Sequence, residues 1–366
     1  MLFIDAIPGG IIPQSMGINN TRLRIILPLL LLLSSCGSPQ RAGISGLDPD
    51  ASESPSASPT NAQDQGETWI PAITNTTEPS VAPTITVPSG QPAPTGMIVL
   101  ACQLTRISAQ NQLCLIQADG TGWRQLTDDL TSDHFFPSFS PDNQSVVFSS
   151  NQSGEYQIYD MGLASGRQIR LTDSGGAFAP AVSPDGSKIV YTYDPGATLS
   201  DSQLWLMQRD GSNRYPLTSM PGGAWDASWS PDGEYIMFAS QVDGIVQLFI
   251  MGANGAGTRQ VTDLTGLRGR NDWSPQGLLA TYIGTTWQRE IIIFDLQGHN
   301  VTYLTDGGNN LAPSFSPDGE WIAYTSYQDN YKDDHGCEIY IMRSDGSDIH
   351  RLTDNEYCDW QPRWSK

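Results

Sequence analysis

The feature that most limits how this chain can fold is a short phrase that returns six times. Its clear copies are PSFSPDN (Pro137–Asn143), PAVSPDG (Pro180–Gly186), DASWSPDG (Asp226–Gly233), NDWSPQG (Asn271–Gly277) and PSFSPDG (Pro313–Gly319), and a truncated PRWS spans Pro362–Ser365. The phrase serines Ser140, Ser183, Ser230, Ser274, Ser316 and Ser365 are spaced by 43, 47, 44, 42 and 49 residues. A second ruler, a leucine-or-valine–threonine pair usually followed by aspartate, puts Thr127, Thr172, Thr218, Thr262, Thr305 and Thr353 at steps of 45, 46, 44, 43 and 48. Two independent markers with one period define a repeat architecture, and about 40–45 residues is the length of a four-stranded propeller blade.

One repeat, Ala312–Asp354, shows how four strands arise. Pro313–Ser316 is short and ends in a Pro-Asp-Gly turn, in which proline presets one dihedral and glycine accepts a positive φ. Glu320–Ser326 is rich in aromatic and branched residues and reads as a strand, as does Glu338–Arg343. Ser344-Asp-Gly346 is a hairpin signal, and His350–Thr353 closes the unit. Consecutive apolar residues such as Ile189–Tyr191 and Ile236–Phe238 suit strands covered on both faces, as between neighbouring blades. The predicted fold class is therefore all-β, a six-bladed propeller over residues 97–366. Each end holds a partial blade: Met97–Cys102, Gln112–Gln117 and Trp123–Thr127 lack a first strand, and Pro362–Ser365 is a first strand alone. Pairing Pro362–Ser365 beside Met97–Cys102 closes the ring and hides two sheet edges.

The chain has 366 residues and a net charge of −20, with lysine only at Lys188, Lys332 and Lys366. That balance argues against nucleic acid, whose phosphates need a basic surface. It also disfavours direct adsorption to an anionic membrane, so membrane attachment is expected through a lipid or a partner. Arg22 and Arg24 precede the apolar run Ile25–Leu33, which is too short for a bilayer span of about 20 residues but suits a signal-peptide core. The run ends in Leu33-Ser-Ser-Cys36, which resembles the lipobox of bacterial lipoproteins. That resemblance implies removal of residues 1–35, with Met16 an alternative start, and lipidation of Cys36. The two acyl chains would anchor the protein to a bacterial membrane on its periplasmic or extracellular side. Residues 36–96 are rich in Ser, Thr, Pro, Ala and Gln and are expected to form a disordered tether.

Four cysteines remain: Cys102, Cys114, Cys337 and Cys358. In an exported domain they suggest disulfides, for which three pairings are possible. Position along the blades favours Cys102–Cys114 and Cys337–Cys358.

The pattern SPDG-x-x-I-A-Y-x-S through E-I-Y-I-M-x-x-D-G-S to R-L-T-D, clearest at Ser316–Asp354, resembles the TolB-type, WD40-like propeller repeat. The resemblance implies the fold. For function it implies a binding scaffold of the cell envelope, since TolB is a periplasmic partner of the peptidoglycan-associated lipoprotein. The family also includes propellers of prolyl oligopeptidase-like enzymes, but no Gly-x-Ser-x-Gly elbow occurs here.

No catalytic residue, cofactor or metal is expected. His134, His299, His335 and His350 do not form a ligand pattern, and the acidic loop Asp329–Gly336 does not follow the EF-hand spacing for calcium. The residues that break the repeat lie just before each phrase and are expected to ring one mouth of the channel. The candidate partner-binding face comprises His134, Phe135, Phe178, Trp225, Asp226, Arg270, Asn271, Asn310, Asp359 and Trp360, because tryptophan, tyrosine and arginine often anchor interfaces. The expected partner is an envelope protein or cell-wall component, bound by a monomer. The alternative is a glycan-binding or glycan-processing propeller, in which Trp225, Trp360 and Arg270 would stack on or clamp sugars.

Overall fold

Every copy of the phrase performs the same local task. Its serine hydroxyl accepts a backbone N–H at the start of the following strand, or one residue before it in blade 5: Ser145 to Ser140, Lys188 to Ser183, Tyr235 to Ser230, Leu278 to Ser274 and Trp321 to Ser316, at 2.9–3.0 Å. In four copies that hydroxyl donates in turn to the phrase aspartate, Asp142, Asp185, Asp232 or Asp318. The turn glycines need their freedom: Gly186, Gly233, Gly277 and Gly319 all have φ between 71° and 84°. The threonine ruler has an equally plain cause. Each threonine hydroxyl accepts a third-strand N–H at 2.9–3.0 Å, from Leu113, Ile158, Leu204, Leu248, Ile291 and Ile339 in turn. Gln203, Gln247, Glu290 and Glu338 in turn accept a hydrogen bond from the hydroxyls of Thr218, Thr262, Thr305 and Thr353.

The structure, a computed structural model, describes residues 92–105, 110–196, 199–327 and 336–366. The leader, Cys36 and residues 37–91 lie outside the described residues, as do Asp329–His335 of the acidic loop. Six antiparallel four-stranded sheets follow one another around an axis. Blade 1 is Asp359–Trp364, Met97–Gln103, Asn111–Gln117 and Arg124–Gln125. The first strands of blades 2 to 6 are His134–Phe139, Gly176–Val182, Trp225–Trp229, Asp272–Trp273 and Asn310–Phe315, and these line the centre. The second and third strands are buried, as in Trp321–Ser326 and Glu338–Arg343, where every residue is covered. The outermost strands are only two or three residues long, exposed in blades 1 to 5 and half-buried in blade 6, which limits pairing with other chains.

The ring closes as its two partial blades require. Ile98 pairs with Trp364, Val99 with Arg363, Ala101 with Trp360 and Cys102 with Asp359. Ser365 then repeats the phrase task across 268 residues: its hydroxyl accepts Met97 N at 2.9 Å. Cys102–Cys114 and Cys337–Cys358 are bonded, with Cα separations of 5.9 and 4.5 Å, so one disulfide lies inside blade 1 and the other fixes the residue before the closing strand. Pro92–Gly96, placed in the tether by composition, lie against the disc. Arg343 donates to Pro92 O at 2.9 Å, and the Trp364 indole donates to Thr95 O at 2.8 Å.

The inner strands carry a device that the residue pattern does not announce. Phe136, Ala179, Asp226, Ala312 and Gln361, each four residues before a phrase serine, have φ between 46° and 54°, and the ladder slips there. Side chains of this size seldom adopt that region. The bulge releases an N–H from its own blade and turns it toward the preceding one. Ala179 N donates to Ser149 Oγ, Asp226 N to Thr192 Oγ1, Gln361 N to Thr325 Oγ1 and Phe136 N to Gln361 Oε1, at 2.9–3.3 Å. The local distortion therefore stitches neighbouring blades together.

Candidate functional site

The two ends of the channel differ in kind. At the end where the chain enters each blade, aromatic rings fill the axis. Phe135 meets Trp360 edge-on at 5.3 Å, Tyr156 lies 6.2 Å from Phe135 and 5.0 Å from Phe178, and all five rings of this group, Phe136 included, are buried. Arg270 of blade 5 reaches across to the opposite blade, its guanidinium 5.3 Å from the Phe136 ring centre.

The ten residues read as a partner face all sit at this end, and nine of them are buried. His134 packs edge-on against Phe148 at 5.6 Å, and neither ring nitrogen has a hydrogen-bond partner. Trp225 is part of the core between blades 4 and 5. Asn271 donates to Asp226 O and Gly269 O and accepts from Ser228 Oγ. Asn310 donates to Gly307 O and accepts from Ser326 Oγ. Trp360 donates its indole N–H to Asn111 Oδ1 at 2.9 Å. Asp359 accepts from Asn355 Nδ2 at 2.8 Å, and burial beside Glu338 pushes its carboxyl well above the ordinary value. Asp226 alone is half-buried. Trp225 and Trp360 are thus only 7% and 2% exposed, which leaves little of either residue to stack on a sugar.

Burial also sets the charge state of His134. Its imidazole is pushed down to about 4 by desolvation, against a smaller opposing pull from Asp129. The unfolded chain takes up the proton near pH 6.5 and the folded chain only near 4, so stability falls as pH drops through that window, by about 3 kcal/mol at full effect. Urea titrations between pH 7 and pH 4 should show a shallower decline for His134→Leu than for the parent chain. Parallel curves would contradict this assignment.

At the opposite end the channel opens into a cup of about 270 Å³. Its rim is Pro141, Pro184, Pro231, Pro275 and Pro317, with Lys366 in the sixth place. Beneath the rim stand Phe139, Val182, Trp229, Trp273, Phe315 and Trp364, the residues just before each phrase serine. The layer below holds Ser138, Ala181, Ser228, Asp272, Ser314 and Arg363. Arg363 of blade 1 crosses over blade 6 to Asp272 of blade 5, Nη1 to Oδ1 at 3.2 Å, and forms a polar floor in an apolar cup. The sequence does carry a signal for the cup, since one aromatic or branched residue and one proline flank nearly every phrase serine. That signal is hidden because the same residues also build the turn. Among the described residues, no group of three or more His, Cys, Asp or Glu side chains could hold a metal ion. His299 is exposed in its turn, and His350 bonds Asp348 at 2.8 Å.

A closed ring of six four-stranded antiparallel blades is the architecture of a six-bladed propeller. The TolB beta propeller domain matches residues 76–200 and 173–333, and the chain belongs to that family. An uncharacterized protein of Agrobacterium fabrum is 33% identical over 141 residues, covering 37% of this chain and 46% of its own. The Tol-Pal system protein TolB of Wolinella succinogenes is 26% identical over 202 residues, covering 53% of this chain and 47% of its own. The chain therefore spans about half the length of the curated relatives it matches. The crystal structure of TolB from Acinetobacter baumannii superposes with a TM-score of 0.65 at 21% identity, over 74% of this chain and 66% of that one, which shows the shared fold.

Proposed function

We propose that this chain is a non-catalytic binding scaffold of the bacterial cell envelope, held by lipid on Cys36 through the tether of residues 36–96, and that its propeller docks an envelope protein or cell-wall component. The open cup is the observation that carries this reading. It is concave, largely apolar and lined by all six blades, with one polar pair at its floor, as binding sites generally are. The two buried disulfides suit an oxidising compartment outside the cytoplasm. Relatives named for the Tol-Pal system are consistent with a protein partner. The end where His134, Phe135 and Trp360 pack offers little side-chain surface, so the cup is the better candidate for contact.

A photo-crosslinking amino acid at Pro231 on the cup rim should capture a discrete protein or cell-wall species in the native envelope. The same group at Asp226, on the plugged end, should capture none. Labelling at Asp226 alone would move the interface to the plugged end, and a soluble oligosaccharide as the sole adduct would favour the glycan alternative. In the same cells Cys36→Ser should move the protein from the membrane to the soluble fraction. Unchanged fractionation would overturn the anchor.

A further inference from the structure

The cup and its surroundings also carry information about what enters. One residue beyond four of the rim prolines stands an exposed aspartate: Asp142, Asp185, Asp232 and Asp318. Their carboxylates accept hydrogen bonds from the phrase serines and from the backbone N–H of Gln144, Ser187, Glu234 and Glu320. These bonds hold Asp142 and Asp232 below the ordinary carboxylate range and Asp185 at about 2. The exposed hairpin aspartates Asp210 and Asp345 join the third and fourth strands of their blades, and so lie at the same end of the disc. Lys366 is the one cation in the ring of rim positions.

A second observation comes from inside the cup. Three of the six residues before the phrase serines are tryptophans. The Trp229 indole N–H donates to Ala181 O at 3.0 Å, and that of Trp364 donates to Thr95 O at 2.8 Å. Trp273, in the cup wall and 4% exposed, has a buried indole N–H with no acceptor in the protein. A buried donor without a partner loses its hydration and gets nothing back until an acceptor arrives. The floor does not call for an anion, because Asp272 already neutralises Arg363. The interior therefore suits a neutral acceptor such as a peptide carbonyl, while the rim suits positive charge.

We propose that the cup receives a basic peptide loop of a partner protein, which places a backbone or carboxamide carbonyl at Trp273 and lysine or arginine side chains over Asp142, Asp185, Asp232 and Asp318. This rests on the cup being the docking site. Charge complementarity across such a rim sets partner choice and association rate, and it weakens with salt.

Two synthetic peptides test it, Lys-Lys-Asn-Pro-Lys-Lys and Glu-Glu-Asn-Pro-Glu-Glu, titrated calorimetrically against the full chain at low and at physiological salt. The lysine peptide should bind at least about tenfold more tightly, with the gap narrowing as salt rises. Changing the four rim aspartates to asparagine keeps an acceptor in each turn and should erase the preference. Trp273→Phe should weaken the lysine peptide without altering its salt dependence. Ala181→Trp, which fills the cup wall, should abolish binding while leaving the melting temperature near that of the parent. Equal or tighter binding of the glutamate peptide, still blocked by Ala181→Trp, would overturn the basic partner and leave the cup as the site. Binding of either peptide undiminished by Ala181→Trp would overturn the cup itself. Absence of lysine-peptide binding up to about 1 mM would overturn the peptide assignment.

Discussion

Asp272→Ala is expected to cost about 3–5 kcal/mol of stability, more than truncation at any other polar position of the inner ring. Four of the other five blades carry an uncharged residue at the equivalent position, Ser138, Ala181, Ser228 and Ser314, and blade 1 carries Arg363 itself. Ser138 accepts Val182 N and Ser314 accepts Trp364 N, each from the blade that follows. Asp272 performs that task and a second one. Its Oδ2 accepts Phe315 N at 2.8 Å and Ser314 Oγ at 3.1 Å, while Oδ1 holds the Arg363 guanidinium. The Asp272 side chain is 5% exposed. Removing it leaves a largely buried cation, an orphaned N–H and a gap on the channel axis together. The cost of breaking such a pair from one side comes mainly from the partner left behind, so the paired change is informative. Asp272→Ser with Arg363→Met restores the serine used in other blades and removes the cation, and it should recover most of the loss. Guanidinium denaturation midpoints would measure both. A cost below about 1 kcal/mol for Asp272→Ala would mean that water or Asn271 O compensates Arg363, and that the pair is not the clasp between blades 5 and 1.

The same residues show why the fold is legible in the sequence and the side-chain exposure at the two channel ends is not. The repeat is visible because each marker carries a hydroxyl with the same backbone duty in every blade. Serine caps the second strand and threonine caps the third, so both recur with the blade period. Closure was visible because the two partial blades are complementary in content. The burial of the plugged end has a physical reason that residue types do not reveal. Phe135, Phe178, Trp225, Trp360 and Arg270 are the residue types that anchor interfaces, but aromatic faces and a guanidinium also satisfy one another. Whether they turn outward depends on the bulges at Phe136, Ala179, Asp226 and Gln361, and no glycine marks those positions. Blade 5 departs from the others: Gly269 takes φ of 122°, the inner strand shrinks to Asp272–Trp273, and Arg270 extends across the axis. A positive φ at phenylalanine or glutamine is set by neighbouring blades, and composition does not encode it. The open cup is hard to see in the sequence for the opposite reason. Its wall residues are so regular that they look like turn grammar alone.

Trp364→Ala should produce the other large effect, about 3–5 kcal/mol, with a distinctive location. Trp364 is 2% exposed and packs in a cluster with Ile98, Leu100, Trp321 and Ile341, on the seam between blades 6 and 1. Its indole also fixes Thr95, and Gly96 approaches the same ring so closely that an added Cβ would lie 3.1 Å from the indole nitrogen. In a ring each blade is held by two neighbours, but blade 1 is the one assembled from the two ends of the chain. A cavity at Trp229 in blade 4, also buried, would weaken packing between strands that remain connected by short turns. A cavity at Trp364 weakens the contact that stands in for covalent connection. Native-state amide exchange separates the two cases. In Trp364→Ala, protection at Val99 and Ala101, which face Arg363 and Trp360 across the closing ladder, should fall toward that of a local opening while blade 4 keeps its protection. In Trp229→Ala the loss should stay near blade 4. If Trp364→Ala instead lowered protection evenly in all six blades, the disc would open only as a whole, and the closing strand would be no weaker than any other seam.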